Sequence, residues 1–585
     1  MNSRWLLSFT GQGRGRGAWQ PGVFAGLLLA SGWLLAAPVP TTCSEVAQAN
    51  GIVPAYIPAL PGYDFTAGIQ RWGGAKDRAL VQTEKTVGNI YINTLPIFDT
   101  ANAQENNFLY RWANRVHTFT RPIVIERMLL FSPGEQVDER LLDESERILR
   151  RQNYVSDSAI RVVRECGETV DLEVITREVW SLTPEISIKS SGGDTSGSLG
   201  FRDSNFLGSG KSISMAVEKE PERDKLLMNY NDPNFQGKRI NISGHLEDNS
   251  DGFDRRFAVS LPFYALDTRR SWGAHFRESE LTRSQYVDAV KISALQVQER
   301  AAGVFYGTSR GLVDGEVNRY LFGLQFEQQR YRLLPDEIAP AEIADDLDLA
   351  YPYVEYQHVE DKYKIGFNIN QIKRSEDIHV GRTLRARLGY SGWGGQRLVT
   401  EGVWHDTWLA RDKMLLQSSV DWHGRWNVQS QAVEDAEVNV GVKIHREQTA
   451  SRSLVLSMDF AMLKNPPSHY ELTLGGDKGL RGYRSRYLSG DTTLLFAAEQ
   501  RWYTKYEPFG LFNVGFAAFA DVGRALFRGV DGPNDGWKAD VGVGLRLIPS
   551  KADKEQVIHL DIAFPVNDSN SGRSMLISAE VKKTL

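Results

Sequence analysis

From residue 180 to residue 585, apolar and polar side chains alternate in runs of roughly ten, parted by clusters of Gly, Asp, Asn, Ser and Pro. Clear examples are residues 211–217, 239–245, 257–262, 304–307, 320–326, 384–390, 438–444 and 454–460. A period of two puts every second side chain on one face of a strand. About 16 to 20 such runs can be marked. The last third is the sharpest. In residues 512–523 one face carries Phe512, Val514, Phe516, Ala518, Ala520 and Val522, and the other Asn513, Gly515, Ala517, Phe519, Asp521 and Gly523. In 540–547, Val541, Val543, Leu545 and Leu547 oppose Asp540, Gly542, Gly544 and Arg546. In 557–564, Ile558, Leu560, Ile562 and Phe564 oppose Val557, His559, Asp561 and Ala563. A soluble sandwich turns such apolar faces inward, whereas a membrane barrel turns them to lipid. Alternation alone leaves both open.

The pattern upstream is different. Residues 89–95 alternate like a strand, and Phe108, Leu109, Trp112 and Val116 recur at helical spacing, which predicts an amphipathic helix. Pro133-Gly134 marks a turn. Asp138 stands at an N-cap before a second helix presenting Leu141, Leu142, Ser145, Ile148 and Leu149 on one side. Arg147, Arg150 and Arg151 on that helix read as a solvated face. Strand candidates 159–164 and 169–177 follow, divided by Glu165-Cys166-Gly167-Glu168. Residues 85–179 are therefore expected to form one small β-α-α-β-β domain, and residues 38–84, rich in Pro, Gly and Ala, an extended leader.

The N-terminus bears on the choice between sandwich and barrel. Arg4, Arg14 and Arg16 precede the apolar stretch 23–37, and no acidic residue occurs before Glu45. That order predicts a secretory signal over residues 1–37, with cleavage after Ala37 or Ala49. The stretch is shorter than the ~20 residues a spanning helix needs. No later run is long enough either, so an exported chain is periplasmic or a β-barrel. Mean hydropathy of −0.36 fits both, because a barrel strand is apolar on one face only. The 53 glycines, 21 tyrosines and 14 tryptophans suit a large β-protein with tight turns and interfacial rings. Residues 180–585 accommodate a transmembrane antiparallel barrel of about 16 strands at about 9–11 residues each. A net charge of −5 argues against a nucleic-acid partner. Cys43 and Cys166 could pair in an oxidising compartment, and an unpaired, buried Cys166 is an equal alternative.

Chemistry-bearing motifs are few. Gly210-Lys211-Ser212 lacks the first glycine of a phosphate loop, since Asn205 stands there, and no helix pattern follows. The ten histidines have no zinc spacing, and no G-x-S-x-G elbow or Cys/His pattern offers a nucleophile. Asp345-Asp346 and Glu434-Asp435 read as solvated loop charges. No covalent catalysis, metal or cofactor is expected.

One ordered set of motifs remains. Leu480-Arg481-Gly482-Tyr483 is followed by Glu499 in Ala-Ala-Glu-Gln-Arg, by Phe519-Ala520-Asp521-Val522-Gly523, by Gly542-Val543-Gly544-Leu545-Arg546 and by His559-Leu560-Asp561-Ile562-Ala563. Near the start of the strand-rich part stands Asn205-Phe206-Leu207-Gly208-Ser209-Gly210-Lys211. In order and content these resemble the (V/L)RG(F/Y) loop, the FxDxG strand and the NFLGxG turn of the BamA/TamA superfamily of outer-membrane assembly factors, also called the bacterial surface antigen family. The unit at 85–179 resembles one POTRA domain of that family.

The resemblance implies a mainly β protein, a barrel over residues 180–585 preceded by one α+β POTRA domain. It implies that the loop folds into the lumen and that Arg481 clamps Asp521, with Glu499 as a second acceptor. A planar guanidinium matches a carboxylate through two hydrogen bonds. It further implies residence in the outer membrane of a Gram-negative cell, with the POTRA domain in the periplasm. There the protein would receive unfolded outer-membrane or secreted polypeptides and insert or translocate them. The seam between residues near 186–190 and 575–582 would open, and outer-membrane lipid would surround the barrel. One POTRA domain is fewer than the major insertases carry, which leaves accessory proteins unassigned. The alternative is a passive outer-membrane pore or surface receptor with a vestigial POTRA domain.

Overall fold

The computed structural model describes residues 52–54, 85–100, 103, 105–191, 194–287, 289–410, 413–467, 469–527, 536–552, 556–567 and 575–583. The expected signal at 1–37, most of the leader at 38–84, and Cys43 lie outside them. Cys166 is disulfide-bonded and half-buried, so the reading of an unpaired thiol is set aside.

Strands Thr86–Leu95, Val155–Cys166 and Thr169–Glu178 form one sheet. Thr169–Glu178 runs at its centre, parallel to Thr86–Leu95 and antiparallel to Val155–Cys166. The leader adds a short edge strand, Ile52–Pro54, parallel to Thr86–Leu95. The helix Glu139–Arg150 begins where Asp138 accepts a hydrogen bond from the Arg140 amide. It buries Leu142, Ile148 and Leu149 against Ile90, Ile92, Leu172 and Val174. Each such aliphatic side chain contributes about 1.5–3 kcal/mol on full burial. A short helix, Pro122–Glu126, which the sequence pattern does not mark, has proline in its first turn, where a missing N–H costs nothing. The helix Phe108–Val116 is capped by Asn107. It buries Tyr110 and Ala113 against Ile97 and Phe98, so its most apolar stripe, Phe108, Leu109, Trp112 and Val116, faces outward.

Downstream, twenty antiparallel strands close a barrel, from Leu182–Ser191 to Leu576–Lys583. The count corrects the expectation of about sixteen and falls at the upper end of the marked runs. The difference arises because most connections are two- to five-residue turns, which leave chain for more strands. The apolar faces point away from the axis. Phe516, Val522, Val541, Val543, Leu560, Ile562 and Phe564 are exposed, while Glu499, Asp521, Asp540, Arg546 and Asp561 are buried inside. Among the described residues no second sheet covers the apolar faces, and the strands close on themselves, which excludes the sandwich. They form the outer band that a bilayer solvates.

The N-terminal unit sits across one mouth of the barrel, here termed proximal. Turn 204–211, between the second and third strands, carries the Asn-Phe-Leu-Gly-Ser-Gly motif. Asn205 is buried, accepts from the Gly210 amide at 2.7 Å and donates to Thr120 at 2.8 Å. Gly208 has φ +66°, and a Cβ there would lie 2.2 Å from the Phe119 carbonyl oxygen. The motif is thus a docking turn that admits the backbone of the N-terminal unit.

An insertion between the tenth strand, Leu347–Glu360, and the eleventh, Arg382–Ser391, forms a hairpin of strands Tyr363–Phe367 and Ser375–His379. Its tip crosses the proximal mouth to the far wall. The Asn368 carbonyl accepts from the Tyr503 hydroxyl at 3.0 Å, and the Ile372 carbonyl from Asn513 at 3.2 Å. Arg374 donates to the carbonyls of Pro549, Ser550 and Ala552 at 2.8–3.0 Å. Ile372 packs on Ile548 and Val557. At its base, Arg150 donates to both oxygens of Asp377 at 2.7 and 2.8 Å, and Arg147 pairs with Asp361 at 3.4 Å and lies over the Tyr363 ring. This corrects the reading of Arg147 and Arg150 as a solvated face. Asp361 and Asp377 are more than two hundred positions away, where no local pattern could reveal them.

Candidate functional site

Between the fifteenth strand, Arg452–Lys464, and the sixteenth, Thr492–Tyr503, a long loop folds into the distal mouth. Its two short strands, Leu472–Leu474 and Leu488–Gly490, pair with each other. Leu474, Leu480, Tyr483, Tyr487 and Leu488 pack with Ala525 and Leu495 of the barrel wall. Across the lumen, the Arg486 carbonyl accepts from the Ala289 amide at 3.2 Å, and its guanidinium meets Glu222 at 2.6 Å. The loop therefore spans the mouth and is held at both sides.

Arg481 is at the centre of the contacts. Its Nε donates to Asp521 Oδ2 at 2.8 Å and its Nη2 to Asp521 Oδ1 at 2.9 Å, a bidentate pair. Nη1 donates to Glu499 Oε2 at 2.9 Å and lies 3.5 Å from Asp561. The guanidinium also stacks 3.4 Å from the centroid of Phe519. Burial alone would lower the Arg481 pKa, but the carboxylates of Asp521 and Glu499 outweigh it and raise the value above that of an ordinary arginine. Arg546 closes the network through Glu499, at 3.0 Å, and Asp561. Arg501 joins it to the hairpin, donating to Glu499 at 2.7 Å and to the Ile369 carbonyl at 3.1 Å.

The remaining motif residues supply space and backbone contacts. Gly482 has no positive φ. Its amide donates to Asp540 at 3.0 Å, and a Cβ there would lie 2.7 Å from the Asp540 Cβ. The left-handed residue of the turn is instead Leu480, at φ +56°. Tyr483 is fully buried, and its hydroxyl donates to the Ala539 carbonyl at 3.1 Å. Gly523 lies against Leu474, Leu480 and Leu495. Gly542 is paired with Phe519 across the ladder and leaves room for its ring, since a Cβ would fall 2.3 Å from Phe519 Cζ. A Cβ at Gly544 would fall 1.8 Å from Asp561 Oδ1. Gly544→Ala is therefore expected to displace the Asp561–Arg546 pair and destabilise the barrel by about 1–3 kcal/mol. The check is a lower temperature for loss of the compact band in heat-modifiability electrophoresis.

The structure thus brings Leu480, Arg481, Gly482 and Tyr483 together with Glu499, Phe519, Asp521, Gly523, Gly542, Gly544, Arg546 and Asp561. Sequence reasoning missed Asp540 and Arg501, although alternation places both on the polar face. It also missed the 363–379 hairpin, whose short alternating strands look like barrel strands. Between loop and hairpin lies a chamber of about 1570 Å³, lined by Lys443, Asp459, Arg481 and Glu499 among others. Among the described residues, Glu316, His358 and Glu360 are close enough to share a metal ion, but Glu360 is already bonded to Arg382 at 2.7 Å and Lys362 at 3.0 Å. The grouping is an ion-pair cluster.

A model of the Omp85 superfamily domain matches residues 205–574. A comparison with curated protein sequences finds no match. Among solved structures, BamA from Haemophilus ducreyi lacking POTRA domains 1-3 is 11% identical, covering 80% of this chain and 81% of that one with a TM-score of 0.37. CdiB from Escherichia coli is 11% identical, covering 87% and 92% at a TM-score of 0.36. The FrpB iron transporter from Neisseria meningitidis (F3-3 variant) is 8% identical, covering 77% and 88% at 0.35.

Proposed function

Because the chain belongs to the Omp85 superfamily, we propose that it is an outer-membrane assembly barrel. It receives unfolded polypeptide clients on a periplasmic POTRA domain and admits their strands to the bilayer at the barrel seam. The observation that carries this reading is the closure. Among the described residues, the last strand, Leu576–Lys583, meets the first, Leu182–Ser191, at one register pair, Ala579 opposite Ser190. The first strand's other edge pairs continuously from Leu182 to Ser191. Unpaired N–H and C=O groups in hydrocarbon cost several kcal/mol each, so an edge left open at this depth favours any strand that can pair with it. Clients are proposed to add there and leave as their own barrels close. Accessory proteins are not assigned.

The passive-pore reading is less favoured, because the loop crosses one mouth and the hairpin the other. No covalent step is proposed. The test is a seam lock, Ser190→Cys/Ala579→Cys, in full-length protein reconstituted into liposomes and mixed with a urea-unfolded barrel client. Wild type is expected to accelerate client folding with or without reductant. The oxidised double variant is expected to lose the acceleration and recover it on reduction. Undiminished activity of the locked barrel, or no acceleration by wild type, overturns the reading.

A further inference from the structure

The helix Phe108–Val116 carries an apolar stripe that no other described residue covers. Phe108 is 78% exposed, Leu109 58%, Trp112 50% and Val116 47%. In a helix that spends the adjoining side on Tyr110 and Ala113, this stripe is the larger apolar surface, and leaving it in water forgoes its burial.

Three observations identify what covers it. The first is position. Tyr110 donates its hydroxyl to the Phe509 carbonyl, in the turn between the sixteenth and seventeenth strands. Just after the helix, the Arg121 amide donates to Gly208, in the turn between the second and third strands, at 2.9 Å. The helix thus lies at the proximal rim, bridging turns on either side of the seam. The second is continuity. Phe509 and Leu207, in those same turns, are themselves exposed, so the rim on both flanks of the helix presents apolar side chains as well. The third is charge. Arg111, Arg115 and Arg121 accompany the stripe, and no acidic residue occurs from 106 to 125. Arg111 and Arg115 fall on the helix beside the apolar arc, opposite the buried side. Aromatic and aliphatic residues bordered by arginines are the composition of a helix lying in a membrane interface, with the guanidinium groups reaching to anionic headgroups.

We propose that the helix Phe108–Val116 lies in the headgroup region of the membrane leaflet at the proximal mouth, anchoring the N-terminal unit to lipid beneath the seam. This goes beyond strand insertion, since it concerns how the unit is held and not what it delivers.

The test uses full-length protein in vesicles of phosphatidylcholine with an anionic lipid, part of the lipid being brominated close to the headgroup. The chain has 14 tryptophans, so the signal of Trp112 is taken as the difference between wild type and Trp112→Phe. The difference emission is expected to be blue-shifted and to lose intensity with brominated lipid. Leu109→Trp in the Trp112→Phe background is expected to restore a quenchable component, and Arg111→Gln/Arg115→Gln to weaken the quenching. Lipid-facing Trp408, quenched in the same vesicles, reports that the barrel is inserted. Quenching by iodide without quenching by brominated lipid overturns the proposal. So does a blue-shifted emission indifferent to brominated lipid, which would mean that polypeptide, not membrane, covers the stripe.

Discussion

Arg481→Ala is expected to lower barrel stability by about 3–5 kcal/mol, the usual result of removing one partner from a buried ion pair. The substitution leaves Asp521 without its bidentate donor and returns Glu499 to Arg501 and Arg546 alone. Uncompensated negative charge is then left beside Asp540 and Asp561 within one wall. Arg481→Lys is expected to recover only part of the loss, because one ammonium cannot meet both oxygens of Asp521 and Glu499 in the plane a guanidinium provides. The temperature at which the folded band is lost in heat-modifiability electrophoresis measures the effect. Arg481→Ala/Asp521→Asn is expected to lose less than the sum of the single changes, since each removes the other's partner. An unchanged midpoint for Arg481→Ala would show that the contact is incidental.

The second large effect concerns the hairpin. Val380 donates to the Lys362 carbonyl at 2.7 Å, so the two ends of the insertion already meet. Residues 363–379 can therefore be replaced by a short Gly-Ser link without displacing the strands on either side. Barrels of 16–18 strands already leave an aqueous channel, and this one has twenty. The deletion is expected to turn small, infrequent conductance in planar bilayers into a sustained channel of many-fold larger conductance. Arg150→Ala, which removes the bidentate bond to Asp377, is expected to give intermediate, flickering openings. Equal conductance of the deletion variant and wild type would mean that the hairpin does not limit passage.

Much of this architecture is legible in the chain because a barrel strand writes its environment into alternate positions. Val541 and Val543 face out, and Asp540, Gly542 and Gly544 face in, as the period of two requires. The motif residues 480–483, 519–523 and 542–546 were recognisable as a set, and their contacts explain why small or charged residues stand where they do. Three further things were not legible. The strand number depends on how each run is cut at its turns, which alternation does not mark. Which of the two uses of glycine Gly482 serves is not written in the motif: the chain turns left-handed at Leu480, and Gly482 is needed for closeness to Asp540. The helix Phe108–Val116 was recognisable as amphipathic, but periodicity cannot tell which side meets protein. Here a single tyrosine hydroxyl and a ring stacked on Phe98 decide it.

The crossed ion pairs have a mechanical corollary. Arg481, Arg501 and Arg546, with Glu499, Asp521 and Asp561, rivet the sixteenth to nineteenth strands into one stiff arc. A ring that is rigid along one segment and barely joined at a neighbouring gap does not deform evenly. On the function proposed above, thermal strain and lateral membrane pressure would collect at the gap, as in a split washer, and reinforcement of one wall by buried charge would set where the circle gives way.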